Sequence, residues 1–271
     1  MPPRPFEAPS PSGEPRLDAL HQLLAVVDRL RAPDGCAWDR EQTLTSFAPN
    51  LIEEAHEVVE AIERGGAAEQ REELGDCLMA CVLLARIAED SGSFDLAGAA
   101  NEAVAKLLRR HPHVFGDGQA GDADEVLRTW ESIKAAERRE QGADASAVAG
   151  VPVALPALQR AMRLGQKAMG VGFRWEDVGG AVAKLHEETA ELEVEIERGD
   201  ADRIAQELGD VLLASAFLGN YLGVDPEAAC RAALARFESR FRHMEGELDG
   251  SGESLEEWMA AWGRAKAKES R

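Results

Sequence analysis

Residues 52–82 read IEEAHEVVEAIERGGAAEQREELGDCLMACV, and residues 186–216 read HEETAELEVEIERGDADRIAQELGDVLLASA. The two stretches share a pattern of acids in which every carboxylate lies 134 positions from its counterpart. The first set is Glu53, Glu54, Glu57, Glu73 and Asp76, and the second is Glu187, Glu188, Glu191, Glu207 and Asp210. Repetition at a fixed offset predicts two copies of one structural unit.

Each stretch has the apolar periodicity of two helices that are separated by a glycine turn. The turns fall at Arg64-Gly65-Gly66 and at Arg198-Gly199-Asp200. Glycine at such a place typically ends a helix, and a short connection makes the two helices antiparallel neighbours. No stretch shows the sustained alternation of a strand. The sequence therefore predicts an all-α chain of two tandem bundles, with four or five helices in each copy.

The rest of the chain is organised around this repeat. Residues 1–16 are rich in proline and predict a disordered tail, whereas residues 17–141 and 157–271 contain the two repeats. Residues 142–156 are small, marked by glycine and proline, and almost uncharged, which indicates a linker. The length of 271 residues suits one large domain or two small ones.

Composition limits the classes of function. The formal net charge is −20, and so acidic a surface repels the phosphates of nucleic acid polymers and of anionic membranes. The four cysteines lack the spacing of a zinc site and suit a reducing compartment. The proline-rich start has no apolar segment of the kind found in signal peptides. We therefore expect a cytoplasmic protein that binds neither nucleic acid nor membrane.

The acids can face one another across the helical hairpin. Glu54 and Glu57 share one face of a helix, and Glu73 and Asp76 share a face of the next. Both pairs lie about two to three helical turns from the connection, so the four carboxylates can meet at one level. Their repulsion favours a bound cation, and ligands that are all oxygen suit Mg²⁺ or Mn²⁺. The second repeat places Glu188, Glu191, Glu207 and Asp210 in the same arrangement.

Two other interpretations of the acids compete with a magnesium site. A single Glu-x-x-Glu pair is ordinarily a solvated helix face, although recurrence of the whole facing set weakens this interpretation. A di-iron carboxylate site needs two Glu-x-x-His motifs. Glu53-x-x-His56 occurs once, because the second repeat has Ala183 at the place of the glutamate before His186. Iron is therefore disfavoured.

The run from Glu187 to Glu191, followed by Glu207 to Asp210, resembles the EExxE…ExxD signature of the MazG nucleotide pyrophosphohydrolases. The run His111-Pro-His113-Val-Phe-Gly116 adds to the resemblance, which covers nearly the whole chain after the proline-rich tail. The carboxylate signature is shared with all-α dUTPases and with phosphoribosyl-ATP pyrophosphohydrolases. The tandem layout is more specific and resembles the long bacterial two-domain form.

The resemblance implies Mg²⁺-dependent hydrolysis of nucleoside triphosphates to the monophosphate and pyrophosphate, with Mn²⁺ as a substitute ion. It implies broad base tolerance, a housekeeping role for the nucleotide pool, and a homodimer that completes each helical bundle. It also points to the C-terminal copy as the main catalytic one. Two alternatives stay open, namely a narrower dUTP or dNTP pyrophosphatase and a nucleotide-binding regulatory or dimerisation module with one or both repeats inactive.

Carried over residue by residue, the resemblance assigns roles in the second repeat. The metal ligands are Glu188, Glu191, Glu207 and Asp210, and the second possible metal site comprises Glu54, Glu57, Glu73 and Asp76. Glu187 and Glu191 are candidates for the general base. The phosphates are expected to meet Arg236, Arg240 and Lys266, and the base or sugar is expected to meet Trp262.

Some of these assignments have simpler competitors. Arg236 and Arg240 also fit a solvated basic stripe, and Trp262 also fits an aromatic residue of a core or of a dimer interface. Gln206 stands where the first repeat has Glu72, and members of the family often carry a glutamate there. This departure leaves the identity of the general base open.

Overall fold

The computed structural model describes residues 11–117, 121–140, 142, 144, 146–248 and 254–269. Most of the predicted proline-rich tail falls on residues 1–10, which lie outside the described residues. The described part contains twelve helices and no strand, so the predicted all-α class is confirmed. The helices are α1 (Pro15–Arg31), α2 (Ala37–Glu41), α3 (Leu44–Arg64), α4 (Ala67–Asp90), α5 (Leu96–Arg110), α6 (Pro112–Phe115), α7 (Ala123–Glu140), α8 (Ala157–Gly170), α9 (Val178–Arg198), α10 (Ala201–Leu222), α11 (Pro226–Leu248) and α12 (Leu255–Glu269).

The first helix begins at Pro15, so its first two residues lie within the predicted tail. Pro15 occupies its first turn, where a missing N–H costs nothing. The Glu14 carboxylate accepts a hydrogen bond from the Arg16 N–H at 3.0 Å and so caps the helix.

Apart from the two short helices α2 and α6, five helices fall in each predicted repeat, in agreement with the expected four or five.

The two carboxylate stretches fold as the same helical hairpin. α3 and α9 begin and end 134 positions apart, and α4 and α10 begin at the same offset. Thr43 starts α3 with a capping box, and Asp177 caps α9 by accepting a hydrogen bond from the Gly180 N–H. The turns differ, because Gly199 has a left-handed φ of 74° whereas Gly65 has an extended φ of −90°. Only the turn at Gly199 needs the conformational freedom of glycine.

The chain divides into two compact units, one ending at Val126 and the other starting at Leu127. The division falls within α7, upstream of the predicted linker at residues 142–156. One contact that joins α7 to the second unit is the ion pair of 3.0 Å between Glu131 and Lys167 of α8. The described residues between α7 and α8 form turns and no helix. The repeat boundaries at 17–141 and 157–271 stay a prediction.

The two units differ in the size of their buried side chains. The core of the first unit consists of Val27, Phe47, Ala80, Val82, Leu83 and Ile87. The buried hydrophobic side chains of helices α8, α9 and α10 are all alanines, namely Ala161, Ala181, Ala214 and Ala216. A second cluster lies between α11 and α12, around Met244. None of the helices in the described ranges is both long and apolar enough to cross a membrane.

A buried arginine at the end of α1 links α2 to the end of α4. The Arg31 side chain is only 7% exposed, and its Nε donates to the Asp90 carboxylate at 2.6 Å. Its Nη1 donates to the carbonyl oxygens of Asp39 in α2 and of Gln42, which follows that helix. Arg86 approaches Asp90 from the same helix at 2.8 Å. Asp90 therefore neutralises two cations at once.

We expect Asp90→Asn to lower the free energy of unfolding by about 1–3 kcal/mol at neutral pH, because Arg31 keeps its burial and loses its counter-charge. Partial burial alone would raise the pKa of Asp90, but the hydrogen bond from Arg31 and the charge of Arg86 outweigh it and lower the pKa. This stabilisation is complete above the unfolded pKa of about 3.9 and is lost as pH falls through the lowered folded value.

Urea titrations of wild type and variant at neutral pH and at about pH 3 measure this effect. The difference in the free energy of unfolding between wild type and variant should be smaller at the lower pH. Glu60→Gln is the control, because Glu60 and its partner Arg64 are both at least half exposed and such pairs contribute little. Equal decreases in the free energy of unfolding of Asp90→Asn and Glu60→Gln would contradict the stabilising role of Asp90.

Candidate functional site

Three carboxylates meet between the two helices of the second hairpin. Oxygen atoms of Glu188 on α9 and of Glu207 and Asp210 on α10 lie within 4.8 Å of one another. We call these three residues the C-terminal acid group. Glu188 and Glu207 are buried, with 7% and 4% of their surface exposed, whereas Asp210 is exposed. Glu191, the fourth predicted ligand, is exposed and lies outside this group.

The first hairpin gathers a different three of its four acids. Glu54 and Glu57 on α3 meet Glu73 on α4, again within 4.8 Å, and we call them the N-terminal acid group. Asp76 is exposed and lies outside it. Burial raises the pKa of Glu54 and of Glu73, and the neighbouring carboxylates raise it further. The negative charges therefore repel one another, and this arrangement favours a bound cation.

Two cations that were not predicted accompany the C-terminal acid group. Lys184 contacts Glu187 and Glu188, each at 2.7 Å, and these hydrogen bonds raise its pKa. Arg203 pairs with Glu207 at 2.5 Å. Each cation precedes its buried acid by four residues, the spacing at which side chains of one helix face meet. That spacing was the signal in the sequence that could have revealed them.

The N-terminal acid group has no equivalent of this pair of cations. Asn50 and Glu69 stand at the positions that correspond to Lys184 and Arg203. Gln206, which replaces an acid of the first repeat, accepts a hydrogen bond of 2.7 Å from Arg203. The amide thus helps to orient the arginine beside the acid group. The two sites share their carboxylates and differ in the charges around them.

The residues predicted to meet phosphate and base lie on α11 and α12, which pack on each other. The ring of Trp262 is 5.5 Å from that of Phe237, and the Arg240 guanidinium lies 5.3 Å above the tryptophan ring. This cation–π contact and the neighbouring core cluster fix Trp262 in place. Arg236 and Lys266 are exposed. The predicted residues thus form two sets, acids on α9 and α10 and cations with tryptophan on α11 and α12.

The family model of the MazG nucleotide pyrophosphohydrolase domain matches residues 42–115 and 180–245. Together these segments cover about half of the chain and contain both acid groups. The chain belongs to the MazG family. The predicted resemblance and the tandem arrangement of two MazG domains are therefore confirmed.

Similar MazG proteins carry a name that states an activity. The nucleoside triphosphate pyrophosphohydrolase of Escherichia coli (strain K12) is 39% identical over 93% of this chain and 99% of its own length. The nucleoside triphosphate pyrophosphohydrolase/pyrophosphatase MazG of Thermotoga maritima is 39% identical over 88% of this chain and 90% of its own length. The prediction of an enzyme of the pyrophosphohydrolase class is thereby confirmed.

Proposed function

We propose that this MazG protein hydrolyses nucleoside triphosphates to the monophosphate and pyrophosphate, and that the C-terminal acid group binds the Mg²⁺ required. The observation that carries the proposal is the meeting of Glu188, Glu207 and Asp210 within 4.8 Å in a MazG hairpin. A donor set made only of carboxylate oxygens fits Mg²⁺, with Mn²⁺ as a substitute ion, better than it fits zinc or copper.

Bound Mg²⁺ would supply Lewis acidity and a water of lowered pKa. The surrounding residues bind and orient the substrate. Glu187 and Glu191, exposed on the same helix as Glu188, are the candidates that take a proton from the attacking water. Water adds its oxygen to phosphorus, the anhydride bond between the α- and β-phosphates breaks, and pyrophosphate leaves. Lys184 and Arg203, which pair with Glu188 and Glu207, would neutralise the phosphates.

The substrate site would be completed by four residues of α11 and α12, namely Arg236, Arg240, Lys266 and Trp262. In a homodimer, these residues of one subunit would contact the acids of the other subunit. Leu74 and Leu78 of α4 are 61% and 43% exposed, and their counterparts Leu208 and Leu212 of α10 are 48% and 51% exposed. The same apolar face is therefore uncovered in both hairpins, which supports association with a second copy.

The preferred nucleotide and the contribution of each repeat form part of the proposal. We favour broad use of NTPs and dNTPs in maintenance of the nucleotide pool, in the cytoplasm, without nucleic acid polymers or membranes as partners. The net charge of −20 supports the last point. A narrower dUTP or dNTP pyrophosphatase is the alternative enzyme.

The Lys184 and Arg203 ion pairs, which the first repeat lacks, favour the second repeat as the active one and the first as structural or regulatory.

We expect the full chain to release pyrophosphate and not orthophosphate from a panel of NTPs and dNTPs, in a reaction that chelation stops and Mg²⁺ restores. Separate assays for the two phosphate products measure this. Turnover of dUTP alone would select the narrower alternative. Orthophosphate as the sole product, or undiminished activity in chelator, would contradict the proposal.

A further inference from the structure

The longest stretch of the chain without an acid lies around α8. Residues 145–175 contain no Asp or Glu, whereas the whole chain has 50 acids in 271 residues. The same stretch contains four cations, namely Arg160, Arg163, Lys167 and Arg174, and the first three lie on α8. A protein with a net charge of −20 therefore reverses the sign of its charge on this helix, which attracts anions.

Helix α7 meets these cations through one shared acid. The Glu131 carboxylate of α7 contacts Lys167 of α8 at 3.0 Å and Lys134 of its own helix at 3.2 Å. The Lys167 side chain is only 8% exposed. Partial burial alone would raise the pKa of Glu131, but the hydrogen bonds from the two lysines outweigh it and lower the pKa. One ionised carboxylate thus faces two ammonium groups, and a positive charge is left over.

Two arginines on the same helix faces have buried donors without acceptors. Arg138 follows Glu131 by seven residues on α7, and Arg160 precedes Lys167 by seven residues on α8, so each shares a face with its neighbour. Both lie towards the connection of the two helices, where a Cβ built on Gly150 would be 3.6 Å from Arg138 Nη1. In the part of the chain that the structure describes, the Nε of each arginine is buried and has no hydrogen-bond acceptor. Buried donors of this kind are rare, and a bound acceptor would stabilise them.

The first turn of α8 adds to the positive charge. In the described ranges no side chain caps this helix at Pro156, and its first turn contains no acid. The first N–H groups therefore lack intrahelical acceptors, and the positive end of the helix dipole lies next to Arg160. The dipole and the guanidinium repel each other, and a phosphate group would stabilise both.

We propose that Arg138, Arg160 and Lys167, which we call the basic cluster, bind the phosphate chain of a small polyanion together with the first turn of α8. The guanidinium forks match the spacing of phosphate oxygens, and the ligand would supply the acceptors that the two buried Nε donors need. The site needs no metal ion and uses none of the residues assigned to hydrolysis. The proposal goes beyond the proposed function and does not depend on it.

Binding of inorganic tripolyphosphate to the full chain in chelator tests the proposal, because without a metal ion the two acid groups repel the probe. Calorimetry at fixed ionic strength measures the Kd. We expect saturable binding by wild type. The Kd should be about tenfold higher for Arg160→Gln and for Arg138→Gln, the scale of one hydrogen bond to a charged group.

ATP in chelator identifies the source of the phosphate chain. A Kd equal to that of tripolyphosphate supports recognition of the phosphates alone, and a lower Kd supports a nucleotide as the ligand. In both cases the Arg160→Gln and Arg138→Gln variants should bind ATP more weakly than wild type does.

Glu131→Gln distinguishes a ligand site from an ion pair that only holds two helices together. The carboxylate competes with the anion for Lys167, so its neutralisation should lower the Kd for tripolyphosphate several-fold. Arg242→Gln on α11 is the matched control, because it removes the same charge from an exposed ion pair with Glu238. Its Kd should equal that of wild type.

Three results would overturn the proposal. The first is the absence of saturable binding by wild type, and the second is an unchanged Kd in folded Arg160→Gln and Arg138→Gln. The third is a Kd that rises in Lys266→Gln and not in the two arginine variants, because the probe then binds the cations of α12. Arg138→Gln keeps the test decisive if Arg160→Gln does not fold. Pyrophosphate release by wild type is measured separately and tests only the proposed function.

Discussion

Glu188→Gln is expected to lower the kcat for ATP by about a thousandfold, which is the scale on which removal of a single charge-stabilising group acts. Glu188 is 7% exposed and contributes one of three oxygen donors within 4.8 Å. The amide keeps the shape of the side chain and removes one negative charge from the cation site. It also takes from Lys184 one of its two carboxylate partners. Pyrophosphate release under saturating ATP and Mg²⁺ measures the change.

The matched control is Glu54→Gln, because Glu54 occupies the equivalent position in the N-terminal acid group. We expect this variant to retain most of the activity, since the first repeat has Asn50 and Glu69 in place of the paired cations Lys184 and Arg203. Asp210→Asn should behave like Glu188→Gln. Full activity in Glu188→Gln would refute the C-terminal site, and equal losses in Glu188→Gln and Glu54→Gln would show that both repeats contribute to turnover.

Two inactive variants are expected to restore activity when they are co-expressed. Glu188→Gln removes a residue of the acid group, and Arg236→Ala removes one of the cations on α11. In a two-fold homodimer whose sites combine the acid group of one subunit with α11 of the other, random pairing leaves about a quarter of the sites intact. We therefore expect about a quarter of the wild-type activity from the mixture.

The control for this experiment combines Glu188→Gln with Asp210→Asn. Both substitutions lie in the same acid group, so every site contains one of them and no pairing restores it. Activity in this control would show recombination or contamination with wild type. Absence of recovery in the first mixture, with each variant folded and dimeric, would show that each subunit supplies both sets of residues to its own site.

The sequence predicted those features of the site that depend on local chain geometry. Apolar periodicity and the breaks at Gly65 and Gly199 fixed the helix ends, and the equal spacing of the acids placed Glu188 opposite Glu207 across a short turn. An antiparallel hairpin leaves few alternatives for residues at a given distance from its turn. The same local rule could have predicted the contacts of Lys184 and Arg203, which lie one helical turn before their acids.

Other features could not be predicted, because they depend on side chains from elements that are distant along the chain. Three of four acids converge in each hairpin, yet Glu191 is outside one group and Asp76 is outside the other. The spacing of these acids is identical in both repeats, so spacing does not distinguish them. The direction and burial of each side chain depend on the helices packed around it.

The sequence by itself determined a duplicated all-α hairpin and the carboxylates that suit a hard cation, since both follow from local periodicity and spacing. Its motifs also resemble those of the family to which the chain belongs. Only the tertiary structure decided which acids converge in each repeat. Glu188, Glu207 and Asp210 meet in the second repeat, whereas Glu54, Glu57 and Glu73 meet in the first. Which side chains converge depends on the close packing of elements that are distant along the chain, which no single stretch of sequence specifies.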